Sequence, residues 1–285
     1  MQQTVFIKQQ NASYLKLDLP FETQEIIPNV SWGSVLEFPS IAYWVYKVIE
    51  RRTTKTQINY KLGNSLLEET GACLLGGHGI PAEIGLAAFE HIKANKVFNG
   101  QNYDREHLTN LLSRPLQLKN GRSVKYRFAK QKAQYLEDAI RKINSSKAPE
   151  TSGKELRNWL LDIKGIGPKT ASWIARNWLN ANDVAILDIH ILRAGILAGF
   201  FPEDLNVEKN YFELEEIFLN VAKAIKIDAS ELDAVIWYEM QRSKTALQLL
   251  NSRKIRQPKK AKRDIEMSFS FTYQSSADPY KVAII

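Results

Sequence analysis

With 285 residues, 44% hydrophobic and 10% aromatic, the chain can bury a sizeable core as one large domain or two small ones. No apolar run approaches the roughly 20 residues that cross a bilayer, and MQQTVFIKQQ lacks the basic-then-apolar order of a signal peptide, so no membrane partner and a cytoplasmic location are expected. The net charge of +8 is concentrated, because RKIRQPKKAKR (253–263) carries seven basic residues and no acid, leaving the rest of the chain nearly balanced. Such a run suits a solvated tail, or a polyanion whose phosphates release counterions on contact.

In chain order, TVFIKQ is a strand candidate, and Pro20, Pro28, Gly33 and Pro39 break up the rest of the first 40 residues into irregular structure around one or two strands. SIAYWVYKVIERR then sets Ile41, Trp44, Val45, Val48 and Ile49 on one helical face and ends in basic residues suited to a helix C-terminus. LGNSLLEETGACLLGG predicts a second helix and PAEIGLAAFEHIKAN a third, with Pro81 in its first turn. Between them, GGHG is either a plain helix joint or a place where backbone and the His78 imidazole approach a ligand. The lone Cys73 excludes an intramolecular disulfide and a cysteine-ligated zinc or iron–sulfur site within one chain, and reads as a small core residue.

DREHLTNLLSRP predicts a short helix, and Asn120-Gly121 between two alternating segments predicts a β-hairpin. KQKAQYLEDAIRKIN is amphipathic, SSKAPETSG is a connector, and GKELRNWLLDI begins a further helix. DIHILRAGILAG, NYFELEEIFLNVAKAI and SELDAVIWYEMQRSKTALQLL bring the total to nine or ten helices. MSFSFTYQ, after the basic run, alternates like a strand and is a candidate partner for TVFIKQ. No fixed repeat occurs, nor an alternation of strands with helices that would signal a parallel sheet. The fold class is mainly α with small β additions, in three segments: an irregular/β segment 1–40, a helical core 41–250, and the basic segment with its strand, 251–285.

Within LLDIKGIGPKTASWIARNWLNANDVAILDIH, the apolar pattern stops at Gly165 and restarts after Pro168. This marks a tight two-helix hairpin, 156–178, whose second helix N-terminus can hold an anion. Asp188, after VAIL and before IHILRAG, reads as a helix N-cap. Taken together, the Gly-hydrophobic-Gly hairpin, the Lys-Thr-Ala that follows, and Val-Ala-Ile-Leu-Asp-Ile-His about twenty residues on resemble the helix–hairpin–helix DNA glycosylase superfamily. Lys169, nineteen residues before Asp188, makes the chain similar to the 8-oxoguanine DNA glycosylase/AP-lyase branch over roughly Glu68 to Lys244.

The resemblance implies a two-lobed helical bundle that binds damaged double-stranded DNA as a monomer. It implies excision of 8-oxoguanine through a lysine Schiff base and strand cleavage by β-elimination. Lys169 would be the nucleophile, neutral when it attacks, and Asp188 the carboxylate that supports positive charge on the sugar. Gly165, Gly167, Thr170 and His190 would face the DNA backbone, His78 the space left by the extruded base, and Arg127 or Phe128 would act as a wedge. Trp173 and Trp237, each one turn from a pocket residue, would stack on the base. Asp233, where many such enzymes have glutamine, could accept N1–H and N2–H of a guanine edge.

No cofactor is required by this chemistry, and the single cysteine excludes the iron–sulfur cluster of related glycosylases. The resemblance also implies a structural monovalent cation held by the backbone around Leu161, Ile163 and Ile166. A bacterial nucleoid-associated protein is the corresponding location when bound to DNA. Three alternatives stay open: another modified guanine or a host-defence role, a non-catalytic hairpin module, and a DNA-compacting protein acting through its basic run.

Overall fold

The computed structural model describes residues 2–9, 11–53, 61–77 and 79–252. His78, the basic run 253–263 and the strand candidate MSFSFTYQ lie outside the described residues.

The chain begins with β1 (Gln3–Lys8) and β2 (Tyr14–Leu19), an antiparallel pair in register from Gln3 opposite Leu19 to Lys8 opposite Tyr14. Thus β2 is the partner found for TVFIKQ among the described residues. The alternation places Gln3, Ile7 and Leu19 inward, as the pleat requires. Gln3 fixes the pair to the following loop: its amide donates to Pro20 and Gly33 carbonyls at 2.9 and 3.0 Å and accepts from Val35 N–H at 2.6 Å. A second small pair, β3 (Glu25–Ile27) and β4 (Val30–Ser31), precedes α1 (Ile41–Thr53).

Next come α2 (Leu66–Leu75), α3 (Ala82–Ala94), α4 (Arg105–Ser113), the antiparallel pair β5 (Leu116–Gln117) and β6 (Ser123–Val124), then α5 (Ala129–Ser145), α6 (Gly153–Leu160) and α7 (Pro168–Leu179). The Asn120-Gly121 signal is met by β5–β6, with Gly121 at φ +79° and Asn120 Oδ1 accepting from Arg122 N–H at 3.1 Å. The chain continues through α8 (Ile189–Ala198), α9 (Tyr211–Ala224), α10 (Ala229–Arg242) and α11 (Lys244–Ser252). The last two were expected as one helix. Ser243 divides them, because its extended backbone (ψ 110°) ends α10 while its hydroxyl accepts from Ala246 N–H at 3.1 Å and starts α11.

Two compact units result. The first combines the described residues of Met1–Asn59 with those of Asn182–Arg256, and the second takes those of Tyr60–Ala181. In the first, Leu19, Val30 and Val35 share one core with Trp44 and Val48 of α1, Phe218 of α9 and Ile236 of α10. The segment 1–40 and helices α8–α11 therefore bury their apolar faces together. In the second, α2 packs against α3, α5 and α7, and α4 against α5, burying Leu75, Phe89, Leu112, Leu136 and Ile174.

A carboxylate holds this second unit together from inside. Glu69 of α2 is fully buried; it accepts from Leu62 and Gly63 N–H at 2.7 and 2.8 Å and from the Asn177 amide of α7 at 2.8 Å. Gly63 has no room for a side chain, since an added Cβ would lie 2.3 Å from the Glu69 nitrogen. Replacing Glu69 with Leu removes the acceptor of three donors, two of them buried, so Glu69→Leu is expected to lower the unfolding free energy by about 3 kcal/mol in urea titrations, and Glu69→Gln by less.

Candidate active site

In the first unit, the apolar run Val184–Leu187 has neither helical nor sheet hydrogen bonding, and Val184, Ala185 and Leu187 are buried. Buried backbone must find partners, and here side chains supply them. Ala185 N–H donates to Glu215 Oε1 at 3.0 Å, Ile186 N–H to Asp233 Oδ2 at 3.2 Å, and Leu187 N–H to the Tyr211 hydroxyl at 3.2 Å. Tyr211 closes the set by donating back to the Ala185 carbonyl at 2.7 Å. The strap so pinned delivers Asp188 in an extended conformation (φ −134°, ψ −172°) as the N-cap of α8. Its Oδ1 accepts from His190 and Ile191 N–H at 2.8 and 3.1 Å.

Around this cap the first unit assembles three more of the expected residues. Trp237 lies one turn beyond Asp233 on α10, and its ring meets the His190 imidazole edge-on, with centroids 6.5 Å apart and planes at 86°. Asp233 itself is only 2% exposed. It is a backbone acceptor for the strap, so a guanine edge cannot have both its oxygens to itself. Glu215 and Tyr211 hold the same strap, and neither stands out in the sequence: they sit 30 and 24 residues from their partners, within an ordinary amphipathic helix.

The second unit carries the hairpin. Gly165 adopts φ +86°, and an added Cβ would fall 2.3 Å from the Tyr135 ring, so glycine is needed there on two counts. Gly167 is the N-cap of α7 with Pro168 at the first turn and no side chain capping it, and the space above it is open. Lys169 is the second residue of α7, half-buried, as are Thr170 and Trp173. Leu161 forms the C-cap of α6, and Ile163 and Ile166 are buried, with the Ile163 carbonyl accepting from Ile166 N–H at 3.1 Å.

A cavity of about 260 Å³ adjoins the hairpin, lined by Gly76, Phe128, Lys132, Tyr135, Gly165 and Thr170 among others. Phe128 precedes α5, and the exposed Arg127 places its guanidinium 5.2 Å from the Phe128 ring centre. Two residues that were not anticipated hold α5 against the end of α2. The Tyr126 hydroxyl donates to the Leu75 carbonyl at 2.6 Å, and the Lys132 amine to Leu74 and Gly76 carbonyls at 2.6 and 3.0 Å. Burial pulls the Lys132 amine down to about 8 and raises the Tyr126 hydroxyl above the usual tyrosine range. Burial likewise pushes the Cys73 thiol up, with Glu69 adding to the effect and Arg176 opposing it, which suits an inert core residue.

A signal for the surface around Tyr126 was present in the sequence. Residues 107–136 contain seven Lys and Arg and no Asp or Glu, a second concentration of charge hidden by the near-neutral average outside 253–263. Among the described residues no group of three or more His, Cys, Asp or Glu is placed to hold a metal ion, and no helix is long and apolar enough to cross a membrane.

Residues 49–227 match the family model described as 8-oxoguanine DNA glycosylase. A protein named 8-oxoguanine DNA glycosylase/AP lyase from Metallosphaera sedula is 36% identical over 124 residues, covering 40% of this chain and 57% of that protein. Its namesake from Methanocaldococcus jannaschii is 36% identical over 123 residues, covering 41% of this chain and 58% of that protein. The matched stretch thus spans little more than half the length of these relatives. The crystal structure of the Methanocaldococcus jannaschii 8-oxoguanine DNA glycosylase is 29% identical, covers 70% of this chain and 86% of that one, and superposes with a TM-score of 0.45.

The two anchoring interactions have separable consequences. Asp188→Ala removes both cap bonds and is expected to cost about 1 kcal/mol in urea unfolding, whereas Asp188→Asn keeps an accepting oxygen and costs little. For Lys132, the folded state binds fewer protons than the unfolded chain between pH of about 8 and the ordinary lysine range, so its contribution to stability rises with pH across that window. The stability difference between wild type and Lys132→Met should therefore grow from pH 8 to pH 10 and stay level from pH 6 to 8.

Proposed function

Since the chain belongs to the 8-oxoguanine DNA glycosylase family, we propose that it excises 8-oxoguanine from duplex DNA and cleaves the strand at the resulting site. The observation that carries this reading is the pair of helix starts. Lys169 is the second residue of α7, the hairpin helix whose N-terminus no side chain caps, and Asp188 is the carboxylate fixed at the start of α8.

The uncapped N-terminus of α7 is suited to a phosphate, because its backbone donors and its dipole both favour an anion. Lys169, neutral at the moment of attack, adds its amine to C1′ of the extruded nucleotide as the C1′–N9 bond breaks and the base leaves with the bonding electrons and a proton. Opening of the C1′–O4′ bond gives a Schiff base. Loss of a C2′ proton then expels the 3′ phosphate. Asp188 offers negative charge to the developing cation, and Trp173 and Trp237 supply aromatic faces for the base. Asp233, already accepting from Ile186, contributes to base binding only through its remaining lone pairs. His190 is assigned to a phosphate, and Arg127 and Phe128 to the gap in the duplex. A monovalent cation would find backbone carbonyls at Leu161, Ile163 and Ile166, and it would steady the hairpin; the Ile163 carbonyl, with one hydrogen bond, retains a lone pair for it.

Borohydride should trap a covalent adduct between wild-type protein and 8-oxoguanine duplex, and Lys169→Gln should abolish it; an adduct persisting in that variant overturns the assignment. Asp188→Asn, which preserves the cap, is expected to slow single-turnover base release at least 100-fold. Release of a different modified guanine, with 8-oxoguanine untouched, would redirect the substrate while leaving the chemistry in place.

A further inference from the structure

The largest feature left unused by this reading is the acid-free stretch 107–136. Its charges are not scattered over the second unit: Lys119, Arg122 and Lys125 all sit, exposed, on the β5–β6 hairpin and its exit, followed by exposed Arg127 and Lys130 at the start of α5. The hairpin is firmly built. Its apolar side buries Leu116 and Leu118, Leu118 N–H donates to the Arg122 carbonyl and Gly121 N–H to the Leu118 carbonyl, each at 2.9 Å, and Tyr126 ties the exit to α2. Glu83 of α3 pairs with Arg122 at 3.2 Å and offsets that charge. Lys119 and Lys125 have no acid placed against them among the described ion pairs.

We propose that the β5–β6 hairpin is a second, sequence-independent phosphate-binding element, in which Lys119 and Lys125 grip the DNA backbone to one side of the lesion. This inference rests on the glycosylase reading, because it takes Arg127 and Phe128 as the point where the protein meets the damaged pair. Chain length sets where the grip falls. Lys125 is three residues from Phe128, at most about 10 Å away, and Lys119 at the hairpin tip, nine residues from it, lies within about 30 Å. At 3.4 Å per base pair these bounds place the gripped phosphates within about three pairs of the lesion for Lys125 and within about nine for Lys119. The polyanion is DNA because the acid-free stretch runs without a break from the hairpin into Arg127 and Phe128, the residues assigned to the gap in the duplex.

The test uses the full chain and duplexes bearing one central tetrahydrofuran abasic analogue, which cannot be cleaved by the Schiff-base route. Salt dependence of binding is measured on a duplex with ten pairs on each side, and on duplexes trimmed to two pairs on either side. For every phosphate no longer neutralised by the protein, the slope of log K against log salt should fall by about 0.9. Lys119→Gln/Lys125→Gln is expected to reduce the slope on the long duplex by about 2, and trimming one side, but not the other, should reproduce that reduction in wild type. Lys119→Arg/Lys125→Arg should restore the wild-type slope. An unchanged slope in the Gln variant, or equal effects of trimming both sides, overturns the hairpin's role alone. Failure of the wild type to bind the abasic duplex or to release 8-oxoguanine would instead overturn the glycosylase reading.

Discussion

Three consecutive backbone N–H groups, those of Ala185, Ile186 and Leu187, must be satisfied in a buried segment with no sheet or helix to receive them, and the place of Asp188 depends on how they are. Glu215, Asp233 and Tyr211 meet them one by one. Leaving even one such group unpaired costs about 1–3 kcal/mol, so the strap has little freedom to shift along its length. This explains why an apolar run stands before an acidic residue: Val184, Ala185 and Leu187 are core side chains that carry a polar group to a defined point at the edge of the core.

The second unit solves a related problem at the opposite end of a helix. The last turn of α2 leaves carbonyls that no intrahelical N–H can reach, and α5 with its approach supplies the donors through Tyr126 and Lys132. One interaction thereby serves two ends, since the same bonds that close α2 also orient the β5–β6 exit and the beginning of α5. Tyr135, one turn beyond Gln131 and bonded to its amide at 2.9 Å, then lies against Gly165 so closely that only glycine fits. The hairpin geometry is therefore set as much by α5 as by its own two glycines.

Periodicity and capping made the helices legible, and Asp188 as an N-cap, Pro168 at a first helical turn and the Asn120-Gly121 hairpin all follow from local chemistry that a sequence displays. What was hidden acts over distance. Nothing in YFELEEIF separates Glu215, spent on the strap, from Glu213 or Glu216 on the same helix, because the distinction is which face meets the core. Asp233 looks like a ligand acceptor for the same reason that it works as a backbone acceptor, since a carboxylate on a buried face must accept from something. Ser243 is not legible as a cap, because its hydroxyl lies inside an uninterrupted apolar pattern. Averaging hid the cations of 107–136, as the acids that balance them are elsewhere in the chain.

The catalytic role proposed for Asp188 is physically compatible with the cap that it forms. Both of its cap bonds end on the same oxygen, so the cap fixes the direction of the carboxylate through one atom of two. A helix N-terminus is also an electrostatically favourable place for negative charge, which is the form required to face a sugar becoming positive. Were the residue on a mobile side chain, each approach to the sugar would cost conformational freedom afresh. Anchored by α8 at one end and by Glu215, Asp233 and Tyr211 through the strap at the other, it has given up that freedom during folding, so in the proposed reaction its orientation would not have to be set anew for each nucleotide.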